Sequence, residues 1–192
     1  MRKIKRLLFL FICIAVVIVA YEMIRYPIEN NAASVQQHLR NWEHKESIDG
    51  SARITLQDFK RVDHSNTYIA LFSIPGDKEG MAVLKQGWNK HLRIEVSTKM
   101  SNLVDYDDIH TNKGTYALFT GTNRSKQIER VKAALVHDTY TIDAAVPKSD
   151  YFVLYEKIPS HIKHPFPATT TLLDKAGDDI TVKEFMDQEL RE

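Results

Sequence analysis

An unbroken run of fourteen apolar residues, Leu7 to Ala20, follows Arg2, Lys3, Lys5 and Arg6. A helix that is apolar all round needs apolar surroundings on every side, so this run constrains the chain more than any other stretch. Fourteen residues match the core of a secretory signal, while extension through Tyr21, Met23 and Ile24 gives about 18 positions, or roughly 27 Å of helix. A cut after Ala20 would place Ile18 where signal peptidase prefers a small residue, so an uncleaved anchor is expected. Arg6 at one end and Tyr21, Arg25 and Tyr26 at the other suit the two headgroup layers. Ile12 stands before Cys13 where a lipidated cysteine would follow a small residue, which argues against a lipoprotein. Four positive charges before the run, against Arg25 offset by Glu22 and Glu29 after it, predict an N-terminus on the cytoplasmic side. The expectation is a single-pass cell-membrane protein held by residues 7–24, with its C-terminal domain extracytoplasmic.

Residues 1–25 form the anchor, 26–48 a juxtamembrane helix and 49–192 a β-rich extracytoplasmic domain. With 43% hydrophobic and 27% charged residues, the chain has the composition of a folded protein rather than a disordered one. The first 25 residues hold five of the 26 Lys and Arg and one of the 25 Asp and Glu. That leaves 21 basic against 24 acidic, near −3, so the domain lacks the phosphate-neutralising charge that nucleic-acid affinity requires. Cys13 lies inside the apolar run, so the outer domain can form no disulfide. An extracytoplasmic domain without one points to the cell envelope of a Gram-positive bacterium rather than to a eukaryotic secretory route.

After Pro27, the apolar positions Ile28, Ala32, Val35, Leu39 and Trp42 recur at helical spacing. That stripe serves either a helix laid on its own domain or a homodimer through residues 28–42. From residue 51 the pattern changes to short alternating or β-branched runs. Strands are predicted at Ala52–Phe59, Thr67–Ile74, Met81–Gln86, Leu92–Ser97, Thr115–Thr120, Ile128–Val136, Tyr140–Ala145, Tyr151–Glu156 and Thr169–Leu173. Turn chemistry falls at residues 75–80, 87–90, 121–123 and 174–177, where Gly, Pro, Asn and Asp cluster, and short links of this kind join sequential antiparallel neighbours. One longer loop, Lys99 to Gly114, divides the strands into two meanders. A last amphipathic helix is expected in the tail from Val182, Phe185, Met186 and Leu190. The fold class is therefore mainly β, with an N-terminal transmembrane helix, a short amphipathic helix, and antiparallel meanders forming a sandwich-like or open-barrel domain.

Two stretches carry a resemblance: YIALFSIPGDKEGMAVLKQGWNKHLRI at residues 68–94, and TNKGTYALFTGTN at residues 111–123. They resemble a group of small, uncharacterised, membrane-anchored extracytoplasmic proteins of Bacillus-type bacteria. The likeness is one of turn residues and strand pattern over roughly residues 66–157. It implies a β-meander module at the outer face of a membrane, and it implies no catalytic residues.

Several side-chain groups are candidates for chemistry. Asp105, Asp107, Asp108 and His110 in the predicted long loop form the densest polar cluster, yet no glycine creates the tight turn of a calcium loop. His161 and His164 are three apart between Pro159, Pro165 and Pro167, which oppose the helix that would align them. Ser160 and Lys163 match the Ser-x-x-Lys of penicillin-recognising enzymes without the strand motifs that accompany it. His38, His44, His64, His91 and His137 fall singly. Trp88, Tyr106, Tyr116, Tyr140 and Tyr151 form either an aromatic binding face or ordinary strand packing. No catalytic, cofactor-binding or metal-ligating residue is assigned. The function expected is a non-enzymatic interaction module contacting an envelope protein or the cell wall. Its alternatives are a metal-dependent envelope hydrolase, using the Asp105–His110 segment with His161 or His164, and a small-ligand sensing accessory.

Overall fold

The structure, a computed structural model, describes residues 2–46, 53–74 and 78–189. Helix α1 (Arg2–Arg25) and helix α2 (Ala32–Glu46) precede ten strands. These are β1 (Thr55–Arg61), β2 (Thr67–Ile74), β3 (Lys78–Gln86), β4 (Leu92–Lys99), β5 (Val104–Thr111), β6 (Gly114–Thr122), β7 (Arg130–Leu135), β8 (Thr141–Ala145), β9 (Tyr151–Lys157) and β10 (Ala168–Leu173). Helix α3 (Thr181–Glu189) follows. The molecule is mainly β, and every strand pairing is antiparallel.

Within α1, residues Arg6–Arg25 have a mean hydropathy of 2.8 and bury none of their length against the domain, so the helix is long and apolar enough to cross a membrane. Pro27 breaks it. The chain then runs extended, and Ile28 exchanges two backbone hydrogen bonds with Leu92, at 3.1 and 2.7 Å. Ile28 is thus an edge partner of β4 rather than the start of the predicted helical stripe. Asn31 caps α2 by accepting a bond from the Ser34 N–H at 2.9 Å, which satisfies one of the free donors of the first turn.

Strands β1-β2-β3-β4 form one sheet in sequence order, the meander that the turn residues predict. The rest differs from that expectation. The second sheet has order β5-β6-β9 and the third β10-β7-β8, so the Gly121–Asn123 link carries the chain between sheets instead of closing a hairpin. Glu79 and Gly80 belong to β3 rather than to a turn, and Pro75 to Asp77 lie outside the described residues. The largest correction is β5, an eight-residue strand where a loop is expected. Three aspartates depress strand propensity, but the pairing of β5 along the full length of β6 overrides it.

Three cores account for this arrangement. Val35 and Leu39 of α2 pack with Tyr68, Ala70, Phe72, Ala82 and Leu84 on one face of the first sheet. Ile69, Leu71, Met81 and Val83 on its other face meet Tyr116, Leu118 and Val153 of the second. Ala117, Phe119 and Phe152, on the far side of the second sheet, join Val131, Ala133, Ile142 and Leu172 of the third. Strands β2 and β6 are each covered on both faces, which is why they read as continuous apolar runs. Gly121 marks a close crossing of two backbones: a Cβ there would sit 2.6 Å from the Leu103 carbonyl, so only glycine fits.

Candidate ligand cleft

Strand alternation decides the fate of the acidic cluster. Tyr106, Asp108 and His110 stand opposite Phe119, Ala117 and Thr115, whereas Asp105 and Asp107 stand opposite Thr120 and Leu118 on the other face. The carboxylates therefore diverge. Asp105 is used locally, accepting bonds from the Asn102 amide at 2.6 Å and from the Ser101 N–H at 3.2 Å. His161 and His164 are exposed on an irregular connector. Among the described residues, no three His, Cys, Asp or Glu side chains come together as a metal site. Lys163 lies beside Ser160, but its ammonium donates to the Ser160 main-chain carbonyl at 3.2 Å, which leaves the hydroxyl unactivated.

The five candidate aromatics also separate. Tyr116 is 1% exposed, with its hydroxyl donating to Asp63 and its ring edge-on to Tyr155 at 6.0 Å. Burial, aided by that hydrogen bond and the Asp63 charge, pushes its phenol up to about 12. Tyr106 packs on Phe119 and Phe166 and donates to the Pro165 carbonyl at 2.7 Å. Burial first, then Asp108 and Asp107, pushes this phenol up to about 12 as well. Tyr140 and Tyr151 are half-buried, and Trp88 is 61% exposed. Tyr151 packs on the same core as Tyr116, and Tyr140 on the same core as Tyr106, so these four serve packing and Trp88 alone of the five is exposed.

What the strands do assemble is a cleft of about 740 Å³ at one end of the second sheet. His110 closes β5, Lys113 lies in the following turn, Thr115 opens β6 and Lys157 ends β9. The connector through Ser160, Ile162 and Lys163 forms the opposite wall. Thr111 fixes the turn, its hydroxyl donating to the Gly114 carbonyl and accepting from the Lys113 N–H, both at 2.9 Å. Gly114 adopts φ 123°, which L side chains rarely take. His110 Nδ1 meets the Thr115 hydroxyl at 2.9 Å, and Nε2 lies 3.7 Å from Asp108.

Three lysines and one histidine therefore line the cleft, with no carboxylate in the lining among the described residues. Lys85 reaches the same corner, donating to the His110 carbonyl at 2.7 Å, and burial holds its ammonium below the ordinary lysine range. The arrangement offers positive charge and hydrogen-bond donors to an anionic group. Lys113 lies 44 residues before Lys157 in sequence, so only the pairing of β6 with β9 could reveal it as a neighbour of Lys157 and Lys163. No protein-family model, curated protein or solved structure matches this chain.

Proposed function

We propose that the chain is a non-enzymatic extracytoplasmic module of the cell envelope, tethered through residues 7–24 with its N-terminus in the cytoplasm. Its cleft would receive an anionic phosphate or carboxylate group carried by a wall polymer or an envelope protein. The observation that carries this reading is that Lys113, Lys157, Lys163 and His110 line one cleft, whose other described lining residues are uncharged. The likeness to membrane-anchored proteins of Bacillus-type bacteria agrees with it, and a sandwich-like stacking of the three sheets is part of it.

The two alternatives call on different features. An envelope hydrolase would require Asp105, Asp108 and a connector histidine to converge through a rearrangement of β5. A small-ligand sensing accessory would use the same cleft for a free anion. A homodimer through residues 28–42 would use side chains other than Val35 and Leu39, which are spent on the first sheet. The test is in vivo crosslinking of the full chain followed by mass spectrometry, run beside a K113Q/K157Q/K163Q triple variant. One reproducible envelope partner that the variant loses supports the module. A partner retained in full by the variant removes the cleft from the interaction, and an empty capture favours the small-anion reading.

A further inference from the structure

The end of the domain that touches α1 has its own chemistry. Asn89, in the turn between β3 and β4, donates to the Glu22 carbonyl in the last turns of α1 at 3.4 Å. Tyr26 packs against Gly87 so closely that a Cβ on that residue would sit 2.8 Å from its ring. The turn is internally braced: Gly87 N–H donates to the His91 carbonyl at 2.9 Å, Lys90 N–H to the Gly87 carbonyl at 3.2 Å, and His91 N–H to the Asn89 side chain at 3.1 Å. Braced in this way, the turn carries Trp88 61% exposed, alongside exposed Lys90. The rest of α1 continues past this turn without touching the domain.

Beside the turn, a pocket of about 400 Å³ is lined by Ile24, Arg25, His38, Trp42 and Arg93, among others. Arg25 lies over the rings of Tyr21 and Tyr26, and Arg93 over Tyr26 at 5.2 Å. Arg93 also pairs with Glu95 at 2.5 Å. Trp42 lines this pocket with its ring, while its indole Nε1 is shielded from solvent and, among the described residues, has no hydrogen-bond partner. Two guanidinium groups beside an apolar lining, at the level where an apolar helix leaves its apolar surroundings, match the chemistry of a phosphate on an apolar tail.

We infer that this end of the domain docks on the phospholipid headgroups of the leaflet that α1 enters, with Trp88 in the interface and a headgroup phosphate in the Arg25–Arg93–Trp42 pocket. The inference rests on the reading of α1 as a membrane span and adds a second, surface contact to it. Trp88 supplies the amphipathic ring that favours the boundary, and Lys90 with Arg25 supplies attraction to an anionic leaflet.

The full chain and its W88F variant, reconstituted in vesicles of brominated phosphatidylglycerol or brominated phosphatidylcholine, provide the test, with alkaline carbonate washing as a control for insertion. The Trp88 difference signal is expected to be blue-shifted and quenched, more strongly with phosphatidylglycerol. Removing Arg93 and Lys90 charge as R93Q and K90Q should weaken docking by about five-fold each at low salt. An unquenched Trp88 in protein that withstands the carbonate wash would overturn the docking and leave the anchor standing. Protein released by the wash would overturn the anchor and the docking together.

Discussion

Leu39 is the residue on which the two uses of the α2 stripe part company. It is fully buried, in a core with Val35, Ile54, Tyr68, Phe72 and Leu92, so Leu39→Ala removes four heavy atoms’ worth of contact from inside one molecule, less the one it keeps. Truncating a buried leucine to alanine costs about 2–5 kcal/mol, partly for lost transfer energy and partly for the cavity left behind. Taking about 3 kcal/mol, and about 2–4 °C per kcal/mol for a domain of this size, the midpoint should fall by roughly 6–12 °C. Thermal unfolding of the full chain in mild detergent, followed by near-ultraviolet circular dichroism, reads the shift directly. Exposed Gln37 on the same helix provides the control, since Gln37→Ala should stay within about 0.5 kcal/mol. The measurement belongs at two protein concentrations. An intramolecular core gives the same shift at both, whereas a homodimer held by the stripe makes the midpoint rise with concentration. A shift below about 2 °C, or one that grows with protein concentration, would refute the packing argument.

Two further outcomes follow from buried polar groups. Asn123 is 1% exposed; its amide donates to the Ile128 and Pro147 carbonyls at 2.9 and 3.3 Å and its oxygen accepts from the Ile128 N–H at 3.2 Å. Asn123→Ala should cost about 3 kcal/mol, and Asn123→Asp more, because a carboxylate would face two carbonyls; equal stability of the two variants in chemical denaturation would count against this. Tyr106 and Tyr116, both pushed up to about 12, should ionise well above the ordinary tyrosine value of about 10. The fold favours their neutral form, so their stabilising effect is complete below the ordinary value of about 10 and is lost as pH rises from there towards 12. An ultraviolet titration in which all the tyrosines ionise together near 10 would contradict it.

The apolar N-terminal helix and the first meander could be read from residue order alone. Leu7 to Ala20 has no polar position to suggest any other surroundings, and the first four strands are consecutive neighbours joined by short links. The strand β5 could not, because Asp105, Asp107 and Asp108 carry the composition of a solvated loop, while what makes them a strand is the apolar β6 that they face across the turn at Asn112 and Lys113. The interleaving of the last two sheets was hidden for a similar reason. Gly121 and Asn123 have the residue types of a hairpin turn, but Gly121 serves a chain crossing at Leu103, and Asn123 ties the link to Ile128 and Pro147. A basic cleft built from Lys113, Lys157 and Lys163 leaves no local signal, since each lysine alone resembles any exposed charge.

Only six residues, Tyr26 to Asn31, separate α1 from α2. As a free coil they would give a loose leash of roughly 12–15 Å. Here they are stitched down instead, by the Ile28–Leu92 pair, the bond from Asn30 to the Tyr68 hydroxyl at 2.8 Å and the cap at Asn31. A domain joined in this manner sweeps out almost no volume above its point of attachment. Its reach is its own height, and its search for a partner is lateral. On the reading of α1 as a membrane span, whatever it meets must already lie close to the membrane surface.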